Sequence, residues 1–402
     1  MVAAEVKGLT QAAAAGRAGL GTVAAWLLAC CAMIFIMVVI GGITRLTLSG
    51  LSITEWEPVT GVIPPLSAAD WAAEFAKYQH IPQYKLINTG MSLTDFQTIY
   101  WWEYVHRLWG RLIGVAFTVP FFYFLVRRRL PRRLIAPLAG ILGLGFCQGL
   151  LGWYMVESGL ANRVEVSQYR LTAHLALALL IYAAILWVAL GILRGRTTRK
   201  KPAMPGLVPG IRAPAASTTR SPHGVHGRDK ACHDDESEGG LTRAPWRWRR
   251  ASEAILALVA LTICAGGFVA GLNAGLTYNT FPLMDGSFVP AGYGQLSPFI
   301  RNWFENIPAV QFDHRLLAET TVASVFVLWL LGQRAALPRP AKRALQALLA
   351  VAALQLTLGV STLLLVVPIP LAAAHQAGAV ALLTAAIVSR HTLRGGGATR
   401  PR

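Results

Sequence analysis

Eight apolar runs, near residues 23–43, 99–126, 134–156, 170–193, 252–273, 308–332, 342–367 and 370–390, set the terms on which this chain can fold. Each is long enough to cross a hydrocarbon layer of about 30 Å as a helix. In lipid the backbone must satisfy its own hydrogen bonds, so a helix is the form each run takes. The fold class that follows is an all-α membrane protein with eight transmembrane helices. Lys and Arg gather between the runs, at Lys7/Arg17, RRRLPRR (127–133), RGRTTRKK (194–201) with RWRR (247–250), Arg334 to Arg343, and the Arg-rich tail. All of these fall on one side if the N-terminus is cytoplasmic, which places both termini in the cytoplasm. The clusters account for the net charge of +18. The partner they imply is the lipid bilayer, with no nucleic acid. Cys30, Cys31, Cys147, Cys232 and Cys264 make no CxxC pair and four of them lie in apolar runs, so neither a disulfide framework nor a zinc site is expected. The opening MVAAEVKGLTQAAAAGRAGLG carries no small-residue cleavage site after an apolar run, and the first run is read as a retained helix.

Residues 194–250 are rich in Pro, Gly, Ser, Arg and His without helical or strand period, and read as a disordered cytoplasmic linker. Its His223, His226, Cys232 and His233 fit no standard metal spacing, and a solvated loop is the better reading. The linker separates two halves, 1–193 and 251–402, that repeat. GGITRLTLSGLS (41–52) aligns without a gap to GGFVAGLNAGLT (266–277). HRL at 106–108 recurs at 314–316, QGLLG at 148–152 recurs as QLTLG at 355–359, and LTAHLAL at 171–177 answers LAAAHQA at 371–377. Four runs per half make both halves enter the membrane from the same side. The expected architecture is two four-helix bundles related by a pseudo-two-fold along the membrane normal.

His106, His174, His314 and His375 lie in the second, fourth, sixth and eighth runs. Counted from the outer ends of those runs they share one depth, roughly 8 to 10 Å below the outer boundary at 1.5 Å per residue. One membrane histidine alone can bridge a helix contact. Four, paired by a repeat, call for a common cause, and two imidazoles on facing helices of a bundle suit bis-imidazole ligation of a heme iron. A zinc or copper site would want further ligands nearby, and nothing else repeats. Gly110 and Gly114 follow His106 at i+4 and i+8 and leave room for a flat macrocycle. Arg107 and Arg315, next to the histidines, could pair with propionates or snorkel to water.

The halves differ in one telling way. Glu103 sits three residues before His106, on the same helical face, where the second half has Gln311; Arg111 likewise corresponds to Glu319. A carboxylate inside hydrocarbon costs roughly 2.5 to 3.5 kcal/mol and marks function by default. Proton-coupled chemistry in the first half is one reading; an i+4 ion pair of Glu103 with Arg107 is the other.

GGITRLTLSGLSITEW (41–56), the PP with WAAEFAKYQHIPQYKLIN (71–88), TDFQTIYWWEYVHRLWGR (94–111), QGLLGWYMVESGL (148–160) and HRLLA (314–318) closely resemble the heme A synthase family, in its mitochondrial and proteobacterial branch. The resemblance implies an oxidoreductase that converts the C8 methyl group of heme O to the formyl group of heme A, used by terminal oxidases. It implies a substrate heme in the N-terminal half, ligated by His106 and His174 with Arg107 and Arg111 nearby. It also implies a resident heme b in the C-terminal half, ligated by His314 and His375 with Arg315 nearby, and Glu103 as the catalytic carboxylate of the family's ExxH signature. The implied reaction is two hydroxylations at C8 giving a geminal diol that loses water, with electrons passing through heme b. A heme O synthase is the expected supplier of substrate, an electron-transfer partner is left unidentified, and the Ala- and Arg-rich composition points to a bacterial inner membrane. The first outer loop (45–98) lacks the cysteine pair of the Gram-positive branch. Two readings outside this family share some features: a diheme cytochrome that only transfers electrons, and a transporter built on parallel repeats.

Overall fold

In the computed structural model the described residues are 2–57, 60–162, 164–198 and 246–394. Most of the expected linker, with His223, His226, Cys232 and His233, lies outside them. The helices are α1 (Val2–Leu46), α2 (Ala68–Tyr78), α3 (Pro82–Leu86), α4 (Leu93–Val126), α5 (Arg132–Asn162), α6 (Gln168–Thr198), α7 (Trp246–Gly271), α8 (Asn302–Glu305), α9 (Ile307–Arg334), α10 (Arg339–Leu364) and α11 (Ile369–Thr392). Eight of them are long and apolar enough to cross a membrane, α1 over its Leu20–Leu46 portion and α4, α5, α6, α7, α9, α10 and α11. The all-helical membrane fold is therefore as the sequence implies.

The helix starts have local causes. Ser92 caps α4 by accepting from the Asp95 amide, and Asn306 caps α9 the same way through Ala309. Proline stands in the first turn of α9, α10 and α11, where its missing N–H costs nothing. Capping also explains where the structure departs from the sequence reading. α4 begins at Leu93 rather than near 99, because the Ser92 cap starts it outside the apolar run. The first long loop contains α2 and α3, which an apolar-run reading passes over. A reciprocal capping box of Ser67 and Asp70 starts α2, and Pro82 starts α3.

Helix neighbours repeat between the halves. α1 touches α4 and α6, α5 touches α4 and α6, and in the same order α7 touches α9 and α11 while α10 touches α9 and α11. Each half is thus a closed ring of four, with α4 opposite α6 and α9 opposite α11. The halves meet through α6 with α7, α1 with α11, and α6 with α11, a set that maps onto itself when the halves are exchanged.

Helices in lipid associate through packing and interhelical hydrogen bonds rather than through water exclusion. Here Trp26 Nε1 donates to the Ala116 carbonyl at 2.7 Å, Trp109 Nε1 to Met33 at 2.9 Å, and the Thr262 and Thr321 hydroxyls meet at 2.9 Å. Between the halves, the Tyr182 and Thr384 hydroxyls meet at 2.7 Å. At the loop-bearing end Arg45 of α1 pairs with Glu165 at 2.7 Å, and Asn273 after α7 donates to the same carboxylate at 3.0 Å. At the opposite end Arg390 pairs with Glu253, and Arg194 donates to the His391 carbonyl. One continuous apolar core, including Leu27, Ile185, Leu345, Leu348 and Ile387, runs through both halves.

Candidate functional site: four histidines on opposed helices

His174, His314 and His375 fall in the second turns of α6, α9 and α11, as the shared-depth reading expects. His106 falls in the fourth turn of α4, because that helix extends further outward. Each imidazole is seated against a glycine of the neighbouring helix. A Cβ on Gly41 of α1 would lie 3.2 Å from His106 Nε2, and one on Gly266 of α7 would lie 3.0 Å from His314 Cε1. A Cβ on Gly152 of α5 would lie 3.0 Å from His174 Cε1, and one on Gly359 of α10 would lie 2.8 Å from His375 Cε1. Any residue larger than glycine would push the ring aside at these four places. The rings are densely surrounded by protein, and His106 lies within electrostatic reach of His174, as His314 does of His375. Each of the four nevertheless keeps some accessible surface.

The donors come two at a time. No group of three or more His, Cys, Asp or Glu side chains able to hold a metal ion occurs among the described residues. Two imidazoles on opposed helices, each given room by a glycine, suit the two axial positions of a heme iron and not a zinc or copper site. A macrocycle also needs space along the helix. A Cβ on Gly114 would meet nothing within 4 Å, whereas the space beside Gly110 is filled by Met37.

A second pair of contacts repeats with the histidines. Gln148, one turn before Gly152, places its Nε2 3.2 Å from both ring nitrogens of His174 and donates to the His174 carbonyl at 3.1 Å. Gln355, one turn before Gly359, places its Nε2 3.1 Å from His375 Nδ1 and donates to the His375 carbonyl at 3.0 Å.

The arginines do something the sequence did not specify. Arg107 donates to the Ile53 and Glu55 carbonyls at 2.8 and 3.0 Å, and its Nη2 pairs with Glu103 at 2.7 Å. Arg315 donates to the Tyr278 and Thr280 carbonyls at 2.5 and 2.8 Å, and to Gln311 Oε1 at 3.1 Å. These are equivalent positions of the repeat, so each half uses one arginine to hold the chain just beyond its first helix. That chain turns at Leu48 and Asn273, again equivalent, with φ of 54° and 53°. In the first half Gln83 of α3 steadies the turn by donating to the Leu48 carbonyl, and accepts from Tyr78, whose burial pushes its phenol pKa up. Arg111 donates to the Glu57 carbonyl at 2.6 Å. Each of these arginines therefore donates to carbonyls of the loop beyond the first helix of its half, a role the sequence did not offer.

Glu103 and Gln311 occupy the same place in the two clamps, both buried. Glu103 accepts from the Ser52 hydroxyl at 2.7 Å, the Ile53 amide at 2.9 Å and the Arg107 guanidinium. Gln311 instead donates, to the Ala274 and Thr277 carbonyls at 2.7 and 2.6 Å. The i+4 ion pair and the carboxylate-for-carboxamide difference are both present. The sequence singled out the four histidines, Glu103 and the arginines as candidates; it passed over the four glycines beside the rings and the two glutamines, although GG and QxxxG were already visible as repeats.

A family model described as cytochrome oxidase assembly protein matches residues 24–217 and 230–387. A heme A synthase of Nitrosospira multiformis is 50% identical over 92% of this chain and 93% of its own length. The heme A synthases COX15 of Bos taurus and Arabidopsis thaliana are 42% and 40% identical, each over 92% of this chain and over 81% and 74% of their own.

Proposed function

The chain belongs to the COX15-CtaA family of cytochrome oxidase assembly proteins, and on that premise we propose that it is a membrane oxidoreductase, a heme A synthase that oxidises the C8 methyl group of heme O to a formyl group. The product supplies terminal oxidases, and the expected setting is a bacterial inner membrane with both termini cytoplasmic. His106 and His174 hold the substrate heme in the N-terminal half. His314 and His375 hold heme b in the C-terminal half, where the glycine seats at 266 and 359 leave room for ligated rings. When bound, heme b would supply one-electron transfer between the substrate side and an external partner.

The observation that carries this division of labour is the asymmetry of two otherwise matching clamps. A carboxylate stands at 103 and a carboxamide at 311, each three residues before a ligand histidine. A proton acceptor is useful where a C–H bond is oxidised and idle beside an electron carrier. Arg107, Ser52 and the Ile53 amide fix the Glu103 side chain. Arg107 and Arg111 order the loop over the site, and Arg315 does so in the other half. The methyl group loses four electrons in all, two in reaching an alcohol and two more in reaching a geminal diol that loses water to give the aldehyde, and an external acceptor has to take those electrons.

Pigment extraction with mass analysis tests the assignment. Wild-type protein is expected to carry heme b together with heme O, its hydroxylated form or heme A. His106→Ala is expected to keep heme b and lose the others. Two identical b hemes per chain in the wild type would instead make the protein an electron carrier.

A further inference from the structure

The end of the molecule opposite the long loops gathers arginines where the two halves meet. The C-terminal ends of α6 and α11 converge there with the start of α7. At the centre is Trp187 of α6. Arg394 lies over its ring at 4.3 Å and Arg390 at 5.9 Å, and the His391 ring meets it edge to face at 5.3 Å. Arg194 donates to the His391 carbonyl at 2.7 Å, and Arg194, Arg249 and Arg390 all stand within electrostatic reach of Arg394. Four guanidiniums thus share one place. Against them stands Glu253, which pairs with Arg390.

Like charges held together are costly unless something balances them. The ends of α6 and α11 bring about half a negative charge each and the start of α7 about half a positive one, so with Glu253 an excess of roughly two to three positive charges remains. The first turn of α7 has no acidic residue to reduce it. Arg390 is 6% exposed, and its Nη1 is buried without a hydrogen-bond partner. Partial burial, and then the neighbouring guanidiniums, hold the Arg394 pKa below the usual arginine value, yet an arginine keeps its charge. The setting is the edge of a bilayer. Trp187 and Trp246, the latter with Arg250 over its ring at 5.1 Å, are aromatic residues of the kind that sit at headgroup level. Leu180, two turns inward from Trp187 on the same face of α6, is 55% exposed and apolar.

We propose that this seam binds the phosphate of one anionic phospholipid between Arg394, just beyond α11, and Arg249 of α7, with Arg390 as a fixed charge beneath and an acyl chain running inward past Leu180. Arginine meets a phosphate with paired N–H donors, and basic pockets between membrane helices take such headgroups. Because α6 belongs to the first half and α7 and α11 to the second, the lipid clamps the halves together.

The test uses the full-length holoprotein in a neutral detergent, with native mass spectrometry reading bound lipid and a thermal melt reading stability. The probes are dioleoyl phosphatidylglycerol, dioleoyl phosphatidylcholine and inorganic phosphate. Wild type is expected to retain one phosphatidylglycerol in preference to phosphatidylcholine and to melt higher with it. An arginine near an anionic surface changes affinity about fivefold, so Arg249→Gln combined with Arg394→Gln is expected to bind phosphatidylglycerol about 25-fold more weakly. The control, Arg127→Gln with Arg129→Gln, removes two exposed arginines just beyond α4 at the same end and is expected to leave the affinity unchanged. Equal weakening in the control and the test variant reduces the cluster to a diffuse basic surface and overturns the proposal, as does equal retention of phosphatidylcholine. Stabilisation by inorganic phosphate that matches the lipid overturns the lipid assignment. Should the double variant fail to fold, Arg394→Gln decides alone, a loss of about fivefold supporting the site and no loss refuting it.

Discussion

Replacing Glu103 by glutamine separates chemistry from scaffolding, because the second half of the molecule already shows what a glutamine does in that place. Gln311 still accepts from its arginine at 3.1 Å and turns its amide toward the loop carbonyls of residues 274 and 277. The equivalent carbonyls in the first half belong to Ser49 and Ser52, so a glutamine at 103 has a rehearsed way to bond. What it loses is the charge on a buried ion pair and the bond from the Ile53 amide at 2.9 Å. A hydrogen bond to a charged group contributes about 1.5–3 kcal/mol, and an amide left unpaired costs about 1–3 kcal/mol. With re-bonding, Glu103→Gln is expected to lose about 2 kcal/mol of stability. A general acid–base group removed from the reaction costs about a hundredfold to ten-thousandfold in rate. The assay is conversion of heme O to heme A by extracted-pigment chromatography, with a thermal melt of the same detergent-solubilised sample. A modest loss of stability with heme b retained and conversion down at least about a hundredfold is expected. Conversion at the wild-type rate would refute the chemical role and leave Glu103 as one half of a loop clamp.

Two further outcomes follow from the geometry. Gly359→Ala puts a Cβ 2.8 Å from the His375 ring and is expected to lose heme b, whereas Gly140→Ala, which meets nothing within 4 Å, is expected to keep both pigments; equal heme content in the two variants would dismiss the seat. In the first loop, hydrogen bonds from Ser67 and Leu66 hold the Asp70 carboxyl below the usual carboxylate range. A carboxyl depressed in the fold stabilises above its unfolded pKa and loses that contribution as pH falls through the folded value. Hydrogen exchange at the Ser67 amide, which donates to Asp70 Oδ2, is therefore expected to accelerate relative to a model peptide only below about pH 3.8, and in Asp70→Ala, which removes the acceptor, to be fast throughout.

The sequence made much of this legible because lipid imposes so few options. A run of twenty apolar residues must be a helix, and charges within it must face protein, so eight helices, four histidines and Glu103 could be read directly. Spacing within one helix reveals which residues share its face, as with Glu103 and His106. It does not reveal what the neighbouring helix brings to that face. The glycine seats and the glutamines depend on how α1, α5, α7 and α10 are rotated, and this emerges only from packing. Arg107 and Arg315 illustrate the same limit, since their loop carbonyls come from a segment without a periodic pattern. α2 was missed for a different reason: its signal is a capping box in a polar stretch, which hydropathy does not register.

Gly41 and Gly42 are consecutive, yet the first faces His106 of its own half while a Cβ on the second would run into Gln376 of the other, next to His375; Gly266 and Gly267 repeat this with His314 and Thr172. In evolutionary terms the two halves of a duplicated protein are ordinarily free to drift apart once each has its own task. Here a replacement at either dipeptide is screened by both halves at once. Positions 103 and 311 face one half only, so a difference between the halves there leaves the other half undisturbed, whereas a change at either glycine pair is felt by both.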